Sequence, residues 1–173
     1  MLINPVAAQR FIAGYKAILL HVHAAAKLKK GKSVIADLAA ARGYLTEHTQ
    51  NLNAAFTALE AEKCGIEDDI ADAIRSMRVD LWVYLRHTTR YAVFIDHEMT
   101  TARAVRALTD PIAAITGKPA VTFKAGVFEF DGCYVCDGII DTPVYLGPGY
   151  RATYNDAYAQ LRKAGQFLIK PAS

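Results

Sequence analysis

Apolar residues recur at helical spacing through the first part of the chain. Phe11, Ile12, Tyr15, Ile18, Leu19, Val22 and Ala26 share one helix face, while Gln9, Lys16, His23 and Lys30 lie seven apart on another. Asn4-Pro5 supplies a cap and a proline for the first helical position, so a helix is predicted from there to Lys30-Gly31. Ser33 can cap a second helix reaching Glu62. Within it Leu38, Leu45, Leu52 and Leu59 stand at heptad spacing. Their companions Ile35, Arg42, Thr49 and Phe56 are half polar, which favours packing against the first helix over a self-associating coiled coil. Cys64-Gly65 breaks the pattern, Glu67-Asp68-Asp69 places acids in a new first turn, and Ile70, Ile74, Met77, Leu81 and Leu85 continue the stripe. Short links between three such helices predict an antiparallel bundle.

The period then changes. Thr88-Thr89-Arg90-Tyr91-Ala92-Val93-Phe94-Ile95 is dense in strand formers, and Asp96-His97-Glu98 can turn. Thr100–Leu108 fits either period; it is read as strand, with the assignment of Arg90–Leu108 left open. Ile112–Ile115 reads as a short turn of helix between proline- and glycine-marked breaks. The sharpest signal lies in Val121–Leu146, where Asp131-Gly132 joins two runs of β-branched and aromatic residues. A two-residue Asp-Gly loop suits a type I′ turn. It pairs Phe130 with Cys133, Phe128 with Val135 and Val127 with Cys136, and Phe128, Phe130, Cys133 and Val135 form the face expected on the core. Gly126 interrupts the alternation and suggests a bulge. Val144–Leu146, a Gly147-Pro148-Gly149 loop, a helix over Thr153–Ala164 and an edge strand at Phe167-Leu168-Ile169 complete the chain.

The predicted class is α+β. An antiparallel three-helix bundle over residues 1–88 precedes a small antiparallel β-sheet or partly open barrel with one C-terminal helix over residues 89–173, as two units or one continuous domain. At 173 residues, 53% of them hydrophobic and 21% charged, the chain is long and apolar enough for a real core. Arg10, Lys16, His21 and His23 break the N-terminal apolar run before it reaches membrane-spanning length. The start lacks a basic leader pattern, and three cysteines without a paired framework fit a reducing compartment. A soluble cytoplasmic protein is expected.

Charge is unevenly placed. No acid precedes Asp37, whereas Lys27, Lys29, Lys30 and Lys32 cluster; Ser33–Ser76 then carries eight acids against Arg42, Lys63 and Arg75. The lysines suit a helix C-terminus, with a nucleic-acid or membrane surface as the sharper reading.

Candidate chemistry is sparse. Cys133-Tyr134-Val135-Cys136 has redox or zinc spacing, but residues three apart on a strand point to opposite faces, which favours a structural role. His97-Glu98 lacks the second histidine of a zinc-protease motif. Asp131, Asp137 and Asp141 could hold a hard cation, yet each fits turn chemistry better. Arg86, Arg90 and His97 form a basic stripe in mixed charge, read as a solvated face. One constellation is retained: Gly147, Gly149, Tyr150 and Arg151 before the last helix, with Asp137 as an outlying member, where glycine backbone, a helix N-terminus and an arginine fork suit a phosphate or carboxylate.

With no complete catalytic set and no metal or cofactor motif, the expected function is a non-catalytic association module. Its partner is a second copy or another protein. The alternative is a binding protein or enzyme for an anionic small molecule at Gly147–Arg151.

Overall fold

A computed structural model describes residues 1–140 and 143–171. The chain forms two compact units: Val6–Arg75, and the chain from Ser76 onward together with Met1–Pro5.

The first unit holds α1 (Pro5–Ala25), α2 (Val34–Glu47), α3 (Gln50–Ala61) and α4 (Asp68–Arg75). α1 buries Ala8, Phe11, Tyr15, Ile18, Leu19 and Val22, the stripe its 3.6-residue period selects. It ends at Ala25, short of Lys30, and Lys27 turns to a φ of +52°, so all four lysines lie exposed beyond the helix rather than in its last turn. Ser33 caps α2 as its side chain predicts, accepting the Ala36 N–H at 3.2 Å. The helix expected to reach Glu62 is instead two. His48 caps α2, its ring stacked on Tyr44 with centroids 4.2 Å apart, and Leu52 and Leu59 belong to α3. Arg10 of α1 grips Glu67 at 2.5 Å and Asp69 at 2.8 Å at the start of α4. Gly14 lets that approach happen, since a Cβ there would meet Ile70 at 2.9 Å.

α4 stops at Arg75, so the predicted switch at Thr88 falls between Arg75 and Arg78, and four helices replace the expected bundle of three. Arg78–His87 is strand β1. Its Trp82 and Tyr84 point to one face and Val83 and Leu85 to the other, and both faces are buried. A strand covered on both sides loses polar alternation, which is why Leu81 and Leu85 could be fitted to a helical stripe.

β1 opens a closed five-stranded barrel with β2 (Ala92–Asp96), β3 (Ala102–Ala107), β4 (Val121–Phe130) and β5 (Cys133–Cys136). The strand order is β1-β2-β3-β5-β4, and seven residue pairs between β1 and β4 close it. The sheet is therefore neither open nor wholly antiparallel: β3 and β5 run parallel, with α5 (Ile112–Thr116) in the connection from β3 to β4. The lumen is filled by Trp82, Tyr84, Phe94, Val105, Val121, Phe123, Ala125, Val127, Tyr134 and Cys136. β6 (Val144–Tyr145) extends the sheet beside β4. α6 (Pro148–Lys163) lays Tyr158 and Leu161 on the outer side chains of β1, β2 and β3, and β7 (Phe167–Leu168) runs parallel to β3.

The Asp131-Gly132 turn has both residues at positive φ (+52° and +66°), and all three predicted pairs form. Phe128, Phe130 and Val135 are buried as expected, on the outer side of the barrel, but the opposite face is buried as well, and it is Val127, Tyr134 and Cys136 that enter the lumen. Gly126 carries no bulge, for its pairing with Val79 is in register. A Cβ there would lie 2.6 Å from the Met77 sulfur and 2.7 Å from the Asp137 carboxylate, so the glycine serves close approach. The register shift sits in β1, between Tyr84 and Arg86. Among the described residues, no helix is long and apolar enough to cross a membrane.

Candidate functional site

The outer wall of the barrel is interrupted where β3 changes partner. β7 pairs with Ala102 and Arg103, and β5 with Val105, Arg106 and Ala107, which leaves Ala104 between them. A groove of about 410 Å³ lies there, lined by Thr88, Thr89, Arg90, Tyr91, Ala104, Arg106, Cys133, Ile169 and Lys170. Alternation along β3 explains the floor: Arg103, Val105 and Ala107 turn inward, so Ala104 and Arg106 face out. The β1–β2 loop forms one wall. Thr88 Oγ1 accepts the N–H groups of Arg90 (3.1 Å) and Tyr91 (3.2 Å), and the Thr88 N–H donates to the Tyr91 carbonyl at 2.9 Å, a side-chain-braced turn that holds Arg90 exposed. Tyr91 is fixed by packing on Phe167 with centroids 5.8 Å apart, and Phe167 in turn sits edge-on to Tyr158. The far wall is Ile169 and Lys170, both exposed, which β7 brings alongside β3.

Among the described residues, three cations and no acid line this groove. Its chemistry is charge, two threonines, one fixed aromatic ring and a small apolar floor. The Cys133 thiol is half-buried in it, while Cys136 is buried in the lumen, so the two sulfurs of the CxxC do diverge.

A second polar constellation fills one end of the lumen. Asp96 is fully buried and accepts from the Thr100 N–H (2.7 Å), Thr100 Oγ1 (2.8 Å), Thr101 N–H (3.1 Å) and Thr101 Oγ1 (2.7 Å), with Arg78 at 3.9 Å. Burial pushes its carboxyl pKa up, but these hydrogen bonds and the Arg78 charge outweigh that and hold it below the ordinary carboxylate range. Asp80 bonds Arg78 at 2.5 Å and lies 3.1 Å from His97 Nδ1. The Arg103 guanidinium lies over both Trp82 (5.2 Å) and Tyr134 (5.3 Å), and burial together with the Arg78 charge lowers its pKa from the arginine norm. Asp96 holds the β2–β3 turn with its acceptor sites occupied, so this end reads as a structural plug.

The predicted residues fall elsewhere. Gly147 is the N-cap of α6, and Gly149, Tyr150 and Arg151 lie in its first turn, since the helix begins at Pro148 and not at Thr153. All four are exposed, with no side-chain cap and no acid in that turn. Asp137 is buried in the turn after β5, its Oδ1 accepting the Ile139 N–H at 3.1 Å. Arg90 and His97 stand at opposite ends of β2, which splits the predicted basic stripe. Asp141 lies outside the described residues, and among those described no three His, Cys, Asp or Glu residues are grouped to hold a metal ion. Tyr91, Arg106 and Lys170 were missed. The only local signal for Arg106 is its alternation with Arg103, and its outward direction depends on which face closes the barrel.

No protein-family model, characterised protein or solved structure matches this chain.

Proposed function

We propose that the protein is a non-catalytic binding module whose barrel takes an anionic, phosphate-bearing ligand in the groove between the β1–β2 loop and the segment after β7. The observation that carries this is the charge of the lining: Arg90, Arg106 and Lys170 line the groove around Ala104, with no carboxylate among the described lining residues. Like charges brought together on a surface repel one another unless an anion or solvent screens them, so the arrangement favours a bound anion. Arginine adds a planar donor fork suited to phosphate. The alternative location, the first turn of α6 with Arg151, has open N–H groups but only one cation. A thermal-shift titration with polyphosphate tests the reading and separates the two places. Stabilisation lost in Arg106→Glu and retained in Arg151→Ala supports the groove; the reverse supports α6; no shift with any phosphate compound defeats both.

A second reading, self-association, rests on the helical unit. Val6 (66% exposed), Leu20 (41%), Val34 (54%) and Ile35 (66%) are exposed large apolar residues on α1 and α2. Sedimentation of the wild type against Leu20→Glu and Ile35→Glu tests it, and a wild-type monomer at all concentrations rules it out. The exposed lysines after α1 add a basic surface to the same unit.

A further inference from the structure

We infer that the ligand of the barrel groove is a single-stranded nucleic acid, an inference that rests on the anion-binding reading above and narrows it. Three features of the groove select this class. It is open to solvent and not an enclosed cavity, because Arg90, Ile169 and Lys170 on its walls are all exposed. A small metabolite gains affinity by burying most of its surface, whereas a polymer needs an open track it can enter and leave. The cations also come from three separate elements, the β1–β2 loop, β3 and the segment after β7, so both walls and the floor contribute positive charge. Charge contributed by both walls and the floor of an open groove suits a ligand that carries more than one phosphate.

The third feature is what lies between the cations. Tyr91, held against Phe167, offers a ring that is already ordered, and Ala104 leaves the floor beside it free of side-chain bulk. An aromatic ring beside a small apolar floor, edged by positive charge, fits a base with its phosphate, since every base has a π-face and stacking on an aromatic does not depend on sequence. A duplex keeps its bases stacked inside and cannot put one on the ring. A membrane headgroup layer would use the cations but leave the ring and floor unused.

The test is fluorescence anisotropy of the 173-residue chain with a labelled oligothymidylate, beside a duplex of equal length, polyphosphate of equal charge and anionic phosphatidylserine vesicles. Binding of the single strand should exceed that of duplex and polyphosphate, and fall linearly on a log–log plot against salt. Arg106→Ala should lower that slope by about 1. Tyr91→Leu, which keeps an apolar contact with Phe167 but removes the ring, should weaken the oligonucleotide by about five- to tenfold and leave polyphosphate unchanged. Unaltered melting temperatures of both variants establish that they fold. Polyphosphate binding as tight as the single strand, with no effect of Tyr91→Leu, would overturn the inference and leave the anion reading standing. Vesicle or duplex binding without single-strand preference overturns it as well, and no binding to any of the four overturns both.

Discussion

The Trp82 indole donates its Nε1–H to the Ala125 carbonyl oxygen, 3.1 Å away across the β1–β4 seam. That seam closes the barrel, and Trp82 is fully buried against Phe94 and beneath Arg103. Trp82→Ala removes the largest lumen side chain and one of the two aromatic rings under the Arg103 guanidinium. The expected loss is about 3–5 kcal/mol. Urea unfolding followed by far-UV circular dichroism should show it as a lower midpoint at unchanged slope. A midpoint within error of wild type would mean that the seam does not depend on this residue.

Asp96 makes stability depend on acid. Its folded-state pKa is depressed, after burial is outweighed by Thr101, Thr100 and Arg78, so its contribution is fully present above the unfolded-state value of about 3.9 and is lost as pH falls through the lower folded value. Wild-type stability should therefore decline below about pH 4. Asp96→Asn should be less stable near pH 7 by about 2 kcal/mol, the scale of a charge-assisted hydrogen bond, and should lose part of the acid dependence. Melting temperatures of the two proteins from pH 3 to 7 would decide it, and parallel curves would exclude Asp96 as the group responsible.

Gly126 and Gly43 separate two uses of glycine. A Cβ at Gly126 meets Met77 and the Asp137 carboxylate well inside contact distance, and Asp137 is fixed by its own turn, so Gly126→Ala should cost about 1–3 kcal/mol. Thermal melting would register this as a fall of several degrees.

Gly43 lies inside α2 with nothing within 4 Å of where a Cβ would stand. Gly43→Ala should stabilise the protein by about 0.5–1 kcal/mol, through helix propensity and a less flexible unfolded chain. A fall in melting temperature there would contradict the open space around α2.

These two glycines also mark how far the sequence can be read. Local chemistry was legible: Asp131-Gly132 dictates its own turn, that turn sets the register of β4 and β5, and Ser33 starts α2 through one hydrogen bond. Choices made by distant contacts were not. Either face of the β4–β5 hairpin is apolar enough for a core, and the one that enters the lumen is decided by β1 and β3, far off in sequence. Residues from Ile70 to Leu85 carry enough apolar side chains for both periods; β1–β2 pairing sets Tyr84 beside Phe94, and only closure of the barrel sets Trp82 beside Phe123. The groove is harder still. Arg90, Arg106 and Lys170 share no spacing, and parallel pairing of β7 with β3 is what assembles them.

Cysteine reactivity joins the fold to the groove. Of the three cysteines, Cys64 is exposed, Cys133 is half-buried on the groove wall and Cys136 is buried in the lumen. Because Cys133 and Cys136 face opposite sides of β5, they should not form a disulfide with each other under mild oxidation. Alkylation followed by mass spectrometry should modify Cys64 first, Cys133 more slowly and Cys136 only after denaturant. Occupation of the groove should then protect Cys133 while Cys64 reacts at its original rate, because only the former lines the site. Protection of Cys64 alone would place the bound anion on the helical unit, and rapid labelling of Cys136 in the native protein would show that the barrel opens at β5.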